Sequence, residues 1–363
     1  MASLRLSSLV RSRFRLMTEI AARSKALVDS SESELCKPVR LRKTKGMCRR
    51  ALSTSLPEGR KFELVPGNAE WPEEYMEGGY HPIHLGDVLG GKYRIESKLG
   101  NGRCATVWLA ERINGGQYAA LKVLQARDSA FSIEACLLEE LTKASVKTRR
   151  PLVQPFVEAF DHTGSNGVHS ILAMEPLGQT LKDYVWLSEF KVRNRCILKP
   201  PPDIQLGNFM FALQRPISKL CQERPNAGRE TFSLQRTDGK PLDEHSPSYM
   251  VEPESLEDNT VRPCTDLADR LVLTDFGAAT RLAAADDDEH AYPNSVWAPE
   301  ILLGLPINER ADIWALGCTI FRLVTSGEWI FVDQFLQGQE QTDEQLQSMI
   351  EVLGPMPKHM VRS

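Results

Sequence analysis

Five short motifs occur in one fixed order along this chain, and their order constrains the fold more than composition does. A glycine-rich turn comes first, a lysine in an apolar run second, and three loop motifs with carboxylates follow. Glycine lets a backbone approach phosphate closely, and carboxylates hold divalent cations. The order therefore predicts groups from separate parts of one fold that serve a phosphate-bearing ligand. The motifs are Leu99-Gly-Asn-Gly-Arg-Cys-Ala-Thr-Val107, Ala120-Leu-Lys122, Asp203-Ile-Gln-Leu-Gly-Asn208, Asp275-Phe-Gly277 and Ala298-Pro-Glu300.

Hydrophobic spacing predicts an antiparallel β-rich segment and then a mainly helical one, which is an α+β class. Alternating apolar residues mark strands, and the spacing of Ile133, Leu137, Leu138 and Leu141 marks a helix. The expected strands are Tyr93–Leu99, Thr106–Ala110, Tyr118–Leu124, Val153–Phe160, His169–Met174, Phe209–Leu213 and Leu271–Thr274, and the expected helices are Ser132–Leu141, Leu181–Phe190, Asp312–Val324 and Asp343–Leu353.

The same pattern divides the chain into three parts. Residues 1–70 are interpreted as a basic, mostly disordered leader, and 71–174 as a small β-rich lobe with a lead-in strap. Residues 175–363 are interpreted as a larger, mainly helical lobe that is incomplete. Polar, proline-containing sequence at about 214–270 is interpreted as an irregular insertion in that larger lobe.

Charge is distributed unevenly along the chain. Residues 1–60 carry 14 Lys and Arg against 5 Asp and Glu, whereas the other 303 residues carry 30 against 43. An acidic body argues against direct nucleic-acid binding and suits a basic protein substrate. The Arg- and Ser-rich leader matches a mitochondrial transit peptide or, alternatively, a basic tail without a targeting signal. No apolar run is long enough to span a membrane, and the 8 cysteines contain no Cys-x-x-Cys pair.

Each motif has an ordinary structural explanation beside the functional one. Gly100-x-Gly102 also suits a tight hairpin, and Lys122 could reach the surface from its strand. A lysine in an apolar strand is costly unless it is paired, which favours a buried acidic partner. The pair Asp203 and Asn208 could be a polar turn, and Asp286-Asp-Asp-Glu289 a solvated loop or an attractant for basic substrate.

Taken together, the motifs resemble those of protein kinases. Gly79-Tyr-His-Pro-Ile-His-Leu-Gly-Asp-Val88, Leu99-Gly-x-Gly-x-x-x-Thr-Val-Trp108 and the polar insertion are similar to the serine/arginine-rich protein-specific kinases, and Asp203-Ile-Gln-x-Gly-Asn208 to their fungal branch. The resemblance covers about 71–357. It implies a two-lobe kinase fold, ATP and Mg²⁺, and Ser/Thr transfer to Arg/Ser-rich splicing proteins. It further implies a monomer in cytoplasm and nucleus, with the mitochondrion as the alternative from the leader.

The resemblance also implies a role for each site residue. Asp203 would accept the substrate hydroxyl proton, and Lys122 would pair with Glu134, to which the helical spacing also points. Asn208 and Asp275 would bind the metal. The nucleotide would contact Leu99, Gly100, Asn101, Gly102, Ala105, Val107, Ala120, Lys122, Met174 and Glu175.

Three departures from the family pattern open alternatives. Only 28 positions separate Glu175 from Asp203, where the family fits two helices, and Pro201 and Pro202 precede Asp203. The chain also ends at Ser363, before the family's last helices. An active kinase, an impaired pseudokinase or nucleotide-binding scaffold, and an incomplete gene product therefore remain open. The larger lobe is expected to be marginally stable, because the missing helices would normally cover its apolar surface.

Overall fold

The computed structural model describes residues 60–65, 67–145, 153–182, 206–213, 215–256, 271–277, 279, 296–324, 330–331 and 338–361. These residues fall into two compact units. The first unit takes the described residues up to 179 together with 212–256, and the second takes those within 180–211 and 271–361. The insertion after 212 therefore groups with the first unit, not with the larger lobe to which the sequence assigned it.

The first unit is built on a six-stranded antiparallel sheet. The sheet strands are β1 (Val88–Leu89), β2 (Tyr93–Asn101), β3 (Ala105–Arg112), β4 (Tyr118–Leu124), β5 (Phe156–Gly164) and β6 (Gly167–Met174). Their order in the sheet is β1-β2-β3-β4-β6-β5. Every expected strand before residue 175 is present, and Asn114-Gly-Gly lies in the turn between β3 and β4. Helices α1 (Ala126–Ser129) and α2 (Glu134–Ser145) follow β4, and β7 (Leu177–Thr180) follows the sheet.

One face of this sheet carries the main apolar core of the unit. Trp108 of β3, Leu121 of β4 and Ile171 of β6 are at most 1% exposed and belong to one cluster. Full burial of a side chain such as Ile171 contributes about 1.5–3 kcal/mol. Because strand side chains alternate between faces, this core leaves the opposite face of the same strands for other contacts.

The insertion is ordered where the structure describes it, which corrects its interpretation as irregular. It forms α3 (Ile217–Glu223), β9 (Thr231–Ser233) and β10 (Tyr249–Val251), and β9 pairs antiparallel with β10. Val251 joins the main sheet core. Apolar burial is therefore the reason that the insertion belongs to the first unit.

A second apolar cluster joins the insertion to the start of the described chain. It contains Phe62, Tyr75, Tyr80, Leu234 and Met250. Phe62 is 2% exposed, and its backbone bridges to Arg236. Phe62, with Val65 and Ala69, thus anchors part of segment 60–70, which the sequence grouped with the disordered leader, to this cluster. We call residues 60–87 the strap.

The second unit combines a short ladder with helices. Strands β8 (Phe209–Ala212) and β11 (Leu271–Leu273) lie where the sequence predicted strands, and they pair antiparallel with each other. The helices are α4 (Pro299–Leu302), α5 (Arg310–Val324), α6 (Gly338–Leu353) and α7 (Lys358–Val361). Strands and helices in these two units confirm the α+β class. The expected helix Leu181–Phe190 lies outside the described residues beyond 182, and no described helix is long and apolar enough to cross a membrane.

Candidate active site

The glycine-rich motif forms the turn between β2 and β3. Gly100 pairs with Val107 and Asn101 with Thr106, and the amide of Gly102 donates to the carbonyl of Ala105 over 2.8 Å. A Cβ atom added at Gly100 would meet nothing within 4 Å. The loop therefore leaves open space beside its backbone, which is what close approach of a phosphate needs.

Most of the predicted nucleotide contacts share one sheet face. Val107 pairs across the ladder with Lys122, and Ala120 pairs with Met174. The period of two puts Ala105 on that face as well, opposite the face that carries the main core. The structure thus brings together residues that lie far apart in sequence. Leu99 and Asn101 lie at the end of β2, beside the loop.

Lys122 is held by Glu134, the residue that the sequence selected as its partner. Nζ lies 2.7 Å from Oε1 and 2.8 Å from Oε2 of Glu134. The lysine side chain is 13% exposed and the glutamate 2%. Glu134 is the first residue of α2, where the helix dipole favours a carboxylate. A charged ammonium is therefore fixed on the same sheet face as Val107 and Met174.

The residue after Met174 is engaged through its backbone. The amide of Glu175 donates to the carbonyl of Pro155 over 2.9 Å. The carbonyl of Glu175 accepts a bond of 2.8 Å from Nε2 of Gln154, a buried side chain. Gln154 thus orients the backbone where the sequence predicts nucleotide contact. No sequence motif pointed to Gln154, because a single glutamine carries no spacing pattern.

In the second unit, Asn208 and Asp275 lie at one end of the β8–β11 ladder. Phe209 pairs with Leu273, and both the amide and Oγ1 of Thr274 donate to the carbonyl of Asn208, over 2.8 and 3.1 Å. Asn208 is buried and the Asp275 side chain is exposed. The pairing explains why two residues 67 positions apart come together.

Asp275 has a φ of 61°, which is the left-handed region. Aspartate tolerates this region better than most residues, yet such backbone is uncommon and is enriched at functional sites. A carboxylate and an amide oxygen fit Mg²⁺, which takes few protein ligands and completes its shell with waters and phosphate. In the described part of the chain, no cluster of three or more His, Cys, Asp or Glu could hold a metal by itself.

The remaining predicted positions either lie outside the described residues or have a structural role. Asp203, Pro201, Pro202 and the acidic run at 286–289 lie outside the described residues. Ala298 is fully buried, and Pro299 occupies the first turn of α4, where its missing amide hydrogen costs nothing. This motif supports the second unit structurally, packing with Ile301 and Ala311.

Cys104 is the one thiol in the glycine loop. Burial, with a contribution from Asp128, raises its pKa to about 11. The group is therefore a neutral thiol at physiological pH and not a nucleophile. The loop offers backbone amides, rather than a reactive side chain, to a ligand.

Comparison with known proteins identifies the class. A serine/threonine-protein kinase SRPK from Physarum polycephalum is 28% identical over 329 residues, covering 82% of this chain and 75% of that protein. A serine/threonine protein kinase from Aspergillus fumigatus is 29% identical over 322 residues, covering 83% and 76%. Human SRSF protein kinase 3 is 31% identical over 147 residues, covering 39% and 26%. These relatives define the chain as a serine/threonine protein kinase.

Within that class, the chain is similar to proteins named SRPK and SRSF protein kinase. No protein-family model matches the chain. Among solved structures, a crystal structure of a kinase domain has a TM-score of 0.48 and 19% identity, covering 78% of this chain and 76% of that one. The similarity to these kinases rests on the sequence relatives, which agree with the resemblance read from the motifs.

Proposed function

We propose that this chain transfers the γ-phosphate of ATP to serine or threonine of basic, Arg/Ser-rich proteins, with Mg²⁺. The observation that carries the proposal is the Lys122–Glu134 ion pair, with Nζ 2.7 Å from Oε1, on the sheet face shared by Val107 and Met174. A lysine with only a structural role would not need a fixed position beside a glycine loop. A lysine that positions phosphate needs such a position, because phosphoryl transfer depends on placement and charge neutralisation.

Each residue has one task in this proposal. Lys122 offsets phosphate charge, and the amides of the 99–105 loop donate to phosphate oxygens. Asn208 and Asp275 would hold Mg²⁺, which supplies charge neutralisation for the transferred group. Asp203 would accept the proton of the substrate hydroxyl, as its place in the motif order implies.

The substrate class follows from charge. The chain beyond residue 60 carries 43 acidic against 30 basic residues. Such a body attracts arginine-rich segments and repels acidic ones, and the attraction weakens as salt screens it. The names SRPK and SRSF protein kinase belong to relatives of this chain and agree with this choice.

The direct test compares three peptides at equal serine content: an Arg/Ser repeat, a neutral Gly/Ser repeat and an Asp/Ser repeat. We expect phosphate transfer from ATP to the Arg/Ser peptide, at least about tenfold above the others at low salt and falling as salt rises. Asp203→Asn is the matched control, since it keeps size and removes the base. Equal rates for the two proteins would refute transfer by this site, and equal rates on the three peptides would refute the substrate class alone.

A second candidate function is nucleotide binding without transfer. The short interval of 28 positions between Glu175 and Asp203, and the prolines directly before Asp203, favour it, since proline restricts the backbone of a loop that must present a base. It predicts that ATP with Mg²⁺ raises the melting temperature of the wild type and of Asp203→Asn equally, with no transfer by either. Absence of any shift would remove both candidates.

A further inference from the structure

We infer that the strap and the insertion together form a positioning layer for the glycine loop, and that Tyr80 is its contact residue. This inference deepens the proposed function, since it takes the loop as the phosphate-binding element. All of its residues belong to the first unit. Tyr80 is a positioning residue, because it acts through the loop backbone rather than on a substrate.

Tyr80 bonds directly to the loop. Its hydroxyl lies 2.7 Å from the carbonyl oxygen of Gly102 and 3.0 Å from that of Arg103. In a planar trans peptide the carbonyl and the next amide hydrogen point in opposite directions. By holding these two carbonyls on the strap side, Tyr80 turns the amides of Arg103 and Cys104 toward the other side. Oriented amides are what a phosphate-binding loop must present.

The backbone of Tyr80 is itself held by the tip of the β5–β6 hairpin. Nδ2 of Asn166 donates to the carbonyl of Tyr80 over 2.5 Å and to that of His245 over 2.9 Å. The carbonyl of Asn166 accepts the amide of Gly78 over 2.8 Å. Asn166 is 1% exposed. One buried amide therefore joins the strap, the sheet and the insertion beside the tyrosine that contacts the loop.

The insertion also bonds to the strand that enters the loop. The amide of Lys98 donates to the carbonyl of Gly228 over 2.8 Å, and the carbonyl of Lys98 accepts the amide of Glu254 over 3.0 Å. Gly228 has a φ of +65°, and a Cβ atom there would lie 2.3 Å from the carbonyl oxygen of Lys98. Only glycine permits this approach. The residue just before the loop is thus fixed on both its backbone groups by the insertion.

A side-chain relay reaches the loop from the same layer. Nδ2 of Asn101 donates to the carbonyl of Asn68 over 2.7 Å. The amide of Asn68 in turn donates to the Glu252 carboxylate, with distances of 3.0 and 2.9 Å to its two oxygens. The loop is therefore tied to the strap at Asn101 and at Gly102, and the strap is tied to the insertion.

The first experiment compares Tyr80→Phe with Tyr249→Phe. Tyr249 also links insertion and strap, through the amide of Leu85 at 3.0 Å, but does not touch the loop. Loop motion is measured by hydrogen–deuterium exchange of a peptide spanning 99–105 in protein without nucleotide. We expect Tyr80→Phe to speed exchange and to raise the KM for ATP about three- to tenfold, with kcat changing less. Tyr249→Phe should leave both near wild type.

The second experiment tests the insertion. Gly228→Ala forces a Cβ against Lys98, whereas Gly239→Ala has a similar φ of +68° with nothing within 4 Å of the new Cβ. Backbone strain is thus matched and only the contact differs. We expect faster loop exchange in Gly228→Ala alone.

The outcomes test the positioning layer separately from the proposed function. Unchanged loop exchange in Tyr80→Phe overturns the role of Tyr80, and equal exchange in the two glycine variants overturns the role of the insertion. If wild-type protein binds no ATP, the proposed function fails, while the exchange data still decide whether the layer positions the loop.

Discussion

At the scale of single residues, two glutamates of helix α2 differ in whether their ion pairs with lysine are buried. Lys122 lies in an apolar strand and is compensated by Glu134, with side-chain exposures of 13% and 2%. Glu139, five residues further along α2, instead pairs with Lys143 in solvent, at 56% and 72% exposure. The position of each glutamate on α2 therefore decides whether its carboxylate lies at the candidate site or at the surface. Substitution of Glu139 thus serves as the control for substitution of Glu134.

We predict that Glu134→Gln lowers kcat/KM at least about tenfold, because Lys122 loses the charge that fixes its position. Glu139→Gln should stay within about twofold of wild type, since exposed pairs contribute little. Steady-state transfer to the Arg/Ser peptide measures both. A Glu134→Gln enzyme with unaltered kcat/KM would contradict the role of this ion pair.

Histidines of the strap and sheet form a second residue-scale feature. The His81 ring lies 4.8 Å from that of His162 and 4.9 Å from that of His169. Burial, and then the neighbouring histidines His169, His162 and His84, lower the pKa of His81 from 6.5 to about 3. The folded protein therefore keeps His81 neutral at pH values at which the unfolded chain binds a proton.

The sign of the pH effect follows from this difference. Below about pH 6.5 the unfolded state binds more protons than the folded state. The free energy of unfolding should therefore decrease as the pH is lowered from about 6.5 toward 3. One such histidine contributes about 1.4 kcal/mol per pH unit. Urea unfolding at pH 7, 6 and 5 should show a shallower pH dependence for His81→Asn than for wild type. Equal slopes for the two proteins would contradict the prediction.

At the scale of elements, a buried ion pair fastens the strap to β2. Lys98 bonds to Glu70, with side chains 0% and 2% exposed, and the hydroxyl of Tyr75 donates to the same carboxylate. Nζ of Lys98 also lies 5.3 Å from the centre of the Trp108 ring. Burial is the largest influence on Lys98 and lowers its pKa. Such a pair depends on both partners, since either charge alone would be uncompensated.

We predict that Glu70→Gln destabilises the protein by about 3–5 kcal/mol, because Lys98 remains buried without its counter-charge. Glu70→Gln combined with Lys98→Met should recover much of that loss, since the uncompensated charge is gone. Urea unfolding of the wild type, both single variants and the double variant forms a closed cycle. Additive losses in the double variant would contradict the coupling of strap and strand.

At the scale of the whole molecule, each unit leaves some large apolar side chains exposed. The first unit contains the continuous sheet core around Trp108 and Leu121. In the second unit, Ile313 of α5 is 48% exposed, and Ile350, Val352 and Leu353 of α6 are 45, 56 and 61% exposed. The first unit also exposes Leu64 and Phe131, at 70 and 61%, so exposure alone does not rank the two units. The marginal stability expected of the larger lobe stays a prediction.

We predict two thermal transitions in scanning calorimetry, the lower one from the second unit. A hydrophobic dye should bind before the upper transition, because the second unit exposes further apolar surface when it opens. A single sharp transition without dye binding would contradict this. The matched comparison is Leu138→Ala in α2, a residue 1% exposed, which should lower the upper transition alone.

Much of this protein was predictable from local patterns. Apolar patterns marked β2 to β6, because strand periodicity follows from backbone geometry alone. Short apolar runs marked β8 and β11, though not the pairing between them. The kinase resemblance, supported by the spacing that marks α2, pointed to Glu134 as the partner of Lys122, because helix geometry decides which face each residue occupies. The five ordered motifs pointed to the kinase class, which the relatives confirm.

Tertiary structure decided what no local pattern carries. The insertion has little periodicity, yet Val251 and Met250 pack into clusters of the first unit. Tyr80 contacts Gly102, 22 positions away, and Asn166 contacts Tyr80, 86 positions away. A single polar residue has no spacing pattern that would predict such contacts. Sequence by itself determined the chemical groups and the elements that carry them. Only the three-dimensional packing decided what holds the glycine loop in place, because those hydrogen bonds join segments that are distant in sequence.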